Sequence, residues 1–222
     1  MISKSTLDYL KKLKKNNDRD WFENNRKTYE PAKAEYLSLI EQILAGVKQF
    51  DSTITDNTAK EAMFRINRDV RFSKDKSPYK THFGANIKRG GKKSVYAGYY
   101  IHVEPGASFI GGGLWFPEAE SLKKVRQEID YCYEDFQKIV EDKNFKKTYG
   151  GLECNKEISL SRPPKNYEAD NAAIEFLKLK CFVATKNLTD EEVLDKKFVQ
   201  NTIKDFKVLH PLLVFLNHSL EN

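Results

Sequence analysis

Apolar residues recur at helical spacing at both ends of this chain and alternate with polar ones in its middle. Over residues 6–14, Leu7, Leu10 and Leu13 stand three apart among lysines, which predicts a short amphipathic helix with Ser3 or Ser5 as its N-cap. A second helix is expected over residues 18–29, with Trp21, Phe22 and Tyr29 inward. A third should run from Pro31, a favoured first-turn residue, to about Phe50. From about Ala62 the period changes to two. Residues 63–72, 81–88, 96–103 and 108–116 are rich in β-branched and aromatic side chains and are parted by Ser77-Pro78, Gly90-Gly91 and Pro105-Gly106, so four strands in an antiparallel meander are expected. Helical spacing returns at Leu122, Val125, Ile129, Tyr133, Phe136 and Val140 within residues 117–140, and the pattern lapses over 149–171. A helix at 171–179, a fifth strand at 180–185 and a long helix at 195–220, bent or interrupted by Pro211, complete the prediction. The expectation is an α+β fold. Its central, mainly antiparallel sheet of about five strands would be covered by N-terminal and C-terminal helices, as one domain over 1–222 that is helical over 1–50, a meander over 62–116 and mainly helical over 117–222.

Composition narrows the class. The longest stretches without Lys, Arg, Asp or Glu, 105–117 and 208–220, fall short of the roughly 20 apolar residues a spanning helix needs, so no membrane association is expected. The first residues show no apolar run with a cleavage site, and a cytoplasmic location is the expectation. Cys132, Cys154 and Cys181 are an odd number with no CxxC spacing, which argues against a disulfide framework or a thiolate zinc site. Oligomeric state and cofactor are not indicated.

Charge changes the picture more. The net +6 conceals a segment, residues 60–93, with 11 basic and three acidic residues, or +8; the rest holds 27 basic and 29 acidic residues, or −2. An anionic partner would therefore meet the chain here. If residues 64–72 form a strand, Arg65, Asn67, Asp69 and Arg71 share its polar face, with Arg68 the exception on the apolar side. Over residues 96–104 the same parity puts Tyr100, His102 and Glu104 on the polar face. The candidate ligand-binding set is thus Arg65, Arg68, Arg71, Lys74, Lys80, His82, Tyr100, His102 and Glu104, suited to a phosphate or carboxylate because guanidinium forks bind such groups in two parallel hydrogen bonds. The same residues also fit an ion-paired network, with Arg65, Asp69 and Arg71 engaging one another.

Two other functions stay open. Lys74, Lys76, Lys80, Lys88, Arg89, Lys92 and Lys93 can neutralise nucleic-acid phosphates while Tyr79 or Phe83 stacks on bases. A hydrolase or transferase acting on a phosphorylated substrate would use His82 or His102 with Asp69 or Glu104, although neither GxSxG nor HExxH is present. His102 and Glu104 can face one ion, but two ligands do not make a site and no metal is expected. Gly111-Gly112-Gly113 reads as a bulge, as room for a packed helix, or as close access to backbone amides.

Residues 17–22 (NDRDWF), 64–84 (FRINRDVRFSKDKSPYKTHFG), 98–106 (GYYIHVEPG) and 108–115 (SFIGGGLW) together resemble the family known as domain of unknown function 2461. The resemblance covers most of the chain. It implies a compact intracellular α+β domain and carries no catalytic residue over, but its longest motif falls where the charge is concentrated.

Overall fold

The computed structural model describes residues 1–221. Helices α1 (Lys4–Lys15), α2 (Arg19–Asn24) and α3 (Arg26–Val47) open the chain, followed by the single turn α4 (Ala59–Ala62). Ser3 caps α1 by accepting from the Thr6 amide, and Asp18 caps α2 by accepting from that of Trp21. Contrary to expectation α3 begins before Pro31, which lies inside it. Tyr29 packs on Phe22 with ring centroids 4.9 Å apart, drawing the first turn inward; the hydrogen bond lost at the proline falls close to the helix start.

Strands β1 (Phe83–Lys88), β2 (Gly98–Val103) and β3 (Ser108–Leu114) follow. Then come α5 (Ala119–Tyr131), α6 (Tyr133–Val140), α7 (Lys143–Tyr149) and the turn α8 (Ile174–Leu177), before β4 (Phe182–Leu188), α9 (Asp190–Leu194) and α10 (Phe198–His218). The helix expected over 117–140 divides at Cys132, whose φ of −113° and ψ of 40° leave the helical region. Besides the single turn α4, two short helices, α7 and α9, escaped the periodicity, and all three are capped by side chains. Asp142 accepts from the Asn144 and Phe145 amides, and Thr189 forms a capping box with Glu192. Helix α10 is not interrupted at Pro211; both Pro211 and Lys207 are exposed, so the carbonyl that loses its donor faces solvent.

The sheet is antiparallel with order β1-β2-β3-β4, four strands rather than five. The missing one is the stretch at 63–72. It touches its neighbours through isolated bridges, Met63 to Ala85 and Asn67 to Tyr79, and through bonds from the Arg68 amide to Pro78 and the Lys80 amide to Ile66. Pro78 has no amide hydrogen to extend that ladder, and Asp75 turns the chain by accepting from the Ser77 amide and hydroxyl.

Alternation along the strands sorts the two faces. Phe83, Ala85, Ile87, Tyr99, Ile101, Val103 and Ile110 are buried on one of them, beneath α3 and α10. Tyr36 of α3 stacks on Phe83 and donates to the Ile101 carbonyl at 3.0 Å. On the same face Gly112 leaves room for α10, since a Cβ there would lie 2.9 Å from Leu209 Cδ2. One polar cluster penetrates this core: the Tyr99 hydroxyl donates to Asp51 at 2.9 Å and accepts from His210 Nδ1 at 2.8 Å. Tyr99→Phe would leave the buried Asp51 carboxylate short of a donor, and should cost about 1–3 kcal/mol. Urea denaturation should show this as a lower midpoint at unchanged slope, whereas an unchanged midpoint would mean that Asp51 finds another donor.

Candidate functional site

Among the described residues no helix layer covers the opposite face of the sheet, which forms the floor of an open basin of about 750 Å³. Its floor alternates out of register with the core. Asn86 of β1, Tyr100 and His102 of β2, Phe109 and Gly111 of β3, and Thr185 of β4 all point this way, cross-strand neighbours through the pairs Asn86–Tyr100, His102–Phe109, Tyr100–Gly111 and Gly111–Thr185. The glycines of β3 keep the centre of the floor low. Phe64, Lys80 and His82 form the wall at the β1 edge. Glu153, Asn155 and Glu157 form the wall at the β4 edge, where the Glu153 amide bonds to the Val183 carbonyl and Thr185 donates to the Glu153 carboxylate.

At the β1 end three groups converge. His102 is 8% exposed and its ring is stacked between Phe109, at 4.6 Å, and His82, at 4.1 Å. Its Nε2 lies 3.3 Å from Glu104 Oε2 and its Nδ1 lies 3.3 Å from the Tyr100 hydroxyl. Burial pushes the Glu104 carboxyl upward, but hydrogen bonds from His102, Thr81 and Lys14 outweigh it and hold the group below its usual range. An ionised Glu104 requires the His102 proton on Nε2, so Nδ1 accepts from Tyr100. Burial pushes His102 down against the pull of Glu104. The contact is therefore a neutral imidazole donating to a carboxylate rather than an ion pair. Burial, reinforced by His102, pushes His82 down to about 4. His82 makes no hydrogen bond among the described residues. Donor atoms of His82, His102 and Glu104 all lie within 4.8 Å of one another.

The residues expected to bind a ligand separate into two groups. Lys80, His82, Tyr100, His102 and Glu104 come together here. Lys80 is part-buried over the Phe64 ring at 5.2 Å and donates to the Arg65 carbonyl at 3.0 Å. Burial, with Arg65 and Lys92 nearby, lowers its pKa. Arg65, Arg68, Arg71 and Lys74 do not line the basin. Arg71 grips Asp69 through two hydrogen bonds of 3.0 and 2.7 Å, Arg68 pairs with Asp75 and donates to the Ser77 carbonyl, and Arg65 and Lys74 are exposed. The parity that joined these arginines to Tyr100 and His102 fails because residues 63–72 are not a strand of the sheet. Several lysines of the segment hold loops instead: Lys76 donates to the Val70 carbonyl, Lys88 to that of Ser94 and Lys92 to that of Met63.

Asn86, Phe109, Thr185 and the acidic wall went unread in the sequence. The first three were within reach of strand parity, but Glu153 and Glu157 sit in a loop whose position no local pattern reveals.

Gly84 is part of this geometry. A Cβ there would lie 2.8 Å from the Tyr100 hydroxyl oxygen, so the glycine makes room for the phenol. Gly84→Ala should cost about 1–3 kcal/mol by overpacking. Combining it with Tyr100→Phe should recover most of that loss, because the ring carbon is at an ordinary 3.5 Å. Additive costs in a double-mutant cycle would place the strain elsewhere.

Residues 5–215 match the model of a family described as "Conserved hypothetical protein (DUF2461)". No curated protein and no solved structure matches the chain.

Proposed function

The chain belongs to the DUF2461 family, whose description names no reaction, and from the basin itself we propose that it binds a small, polarised organic molecule. An anionic phosphate or carboxylate end lies at Lys80 and His82, hydroxyl or amino donors meet Glu153, Asn155 and Glu157, and apolar parts rest on Phe64, Phe109 and Trp115. The observation that carries this reading is the sorting of charge within one concavity. The cation stands on the β1 wall, the carboxylates stand on the β4 wall, and the floor between them is uncharged, with aromatic, glycine and neutral polar residues. A volume of about 750 Å³ suits a ligand of this kind, and such sites combine an apolar lining with a few converging polar groups. Partial burial strengthens Lys80 at one end and Glu153 at the other, because a partly desolvated charge acts through less water than the exposed Arg71. The arginines are not needed for this reading.

A thermal-shift screen against sugar phosphates, nucleotides, small carboxylates and short oligonucleotides, at low and moderate salt, tests it. A compound carrying both an anionic group and hydroxyl donors should stabilise the fold by about 2.7 kcal/mol at 100 times its dissociation constant. Asn187→Trp, at an exposed position on the basin floor, should abolish the shift by filling the basin, and Arg71→Ala should leave it intact. A shift that survives Asn187→Trp but is lost in Arg71→Ala would overturn the assignment. So would stabilisation by oligonucleotides alone that collapses with salt, which marks backbone phosphates on the basic loops.

A further inference from the structure

We infer that His82, His102 and Glu104 form a divalent-metal site of the zinc class at the β1 end of the basin. His102 lies on β2, Glu104 directly follows that strand two residues on, and His82 immediately precedes β1, whose Phe83 pairs with Val103. The register therefore brings the three together from separate parts of the chain. His102 Nε2 and Glu104 Oε2 are already 3.3 Å apart. That is close to the edge of a tetrahedron with bonds of about 2.1 Å, roughly 3.4 Å.

The shell around the donors is arranged as an ion requires. Glu104 Oε1 accepts from Thr81 at 2.9 Å and from Lys14 at 3.2 Å, which leaves Oε2 to face the ion. Tyr100 stands at His102 Nδ1; when Nε2 binds the ion, the single proton of the neutral ring sits on Nδ1 instead and donates to the phenol oxygen, fixing the ring.

His82 is the adjustable member. Its ring lies against His102 at 30°, so the two sets of lone pairs do not yet converge, and all three donors span up to 4.8 Å. It is half-buried and held by no hydrogen bond among the described residues, so rotation of this one side chain closes the set. Two nitrogens and one oxygen favour zinc over magnesium or calcium, which take oxygen ligands.

Both histidines line the basin, so the fourth coordination position opens into it. There it takes an anionic oxygen of the bound molecule, beside Lys80. That last point rests on the basin reading; the metal site does not.

Titration of the metal-free full chain with Zn²⁺ by calorimetry, and with Co²⁺ by visible absorption, tests the site without any organic ligand. One equivalent should bind, with the intense absorption of four-coordinate cobalt. His82→Gln and Glu104→Gln should each weaken binding by more than about 100-fold, and Tyr100→Phe by about 10–100-fold, with circular dichroism unchanged. His218→Ala and Cys154→Ser, exposed residues elsewhere, should have no effect. Less than one equivalent, binding that survives His82→Gln, or loss in the His218 or Cys154 variant would overturn the proposal. Metal binding that persists when no organic compound shifts the fold would refute the basin reading alone.

Discussion

Helices α3 and α10 seal one face of the four-stranded sheet and leave the other to irregular segments, and this asymmetry decides where every side chain of the strands goes. A residue of β1 to β4 on the covered side meets a close-packed layer that includes Tyr36, Phe206 and Leu209. Burying one such side chain contributes about 1.5–3 kcal/mol. The register that hides Phe83, Ala85, Ile87, Tyr99, Ile101 and Val103 is thereby fixed, because a slip of one residue would exchange the whole set with Gly84, Asn86, Tyr100 and His102. The basin is the other half of that exchange. Its floor is polar, aromatic and glycine-rich because the residues between the core positions had to point there.

Adjacent tyrosines make the contrast concrete. Tyr99 and Tyr100 each engage a histidine, and each of the two sets includes a carboxylate, on opposite faces of β2. On the core side Asp51 also accepts from the Thr53 amide and hydroxyl, and the cluster is closed, as a buried polar group must be. On the basin side the chain from Tyr100 through His102 to Glu104 has a second imidazole against it, and His82 brings no side-chain hydrogen bond among the described residues. The same residue types therefore fasten a helix to the sheet on one face and present unused donor atoms on the other.

The basic segment shows how concentrated charge can be absorbed locally. Arg71 with Asp69, Arg68 with Asp75, and the lysine bonds to backbone carbonyls are mostly contacts within residues 60–94. They shape the loop that carries Lys80 and His82 to the basin wall. Lys80, over Phe64 and bonded to the Arg65 carbonyl, is the one cation of the predicted set at this wall.

The sequence by itself determined the helical ends, the antiparallel meander, the apolar face of α1, and the inward and outward parity of β2. These follow from local periodicity, which a solvent boundary imposes residue by residue. Parity placed Tyr100, His102 and Glu104 on one surface, and charge directed attention to the segment that holds Lys80 and His82. It misassigned residues 63–72, because alternation there reports an extended chain with one drier side, and pairing depends on partners that Pro78 and the Asp75 turn interrupt. Tertiary structure alone decided that Asp69 and Asp75 take up two of the arginines, that Glu153 and Glu157 face Lys80 across the sheet, and that His82 lies against His102. Each of these joins residues far apart in the chain or selects among several local ion-pairing choices of similar energy. Only the packing of the sheet against its helices separates such choices, and that packing is a property of the whole fold.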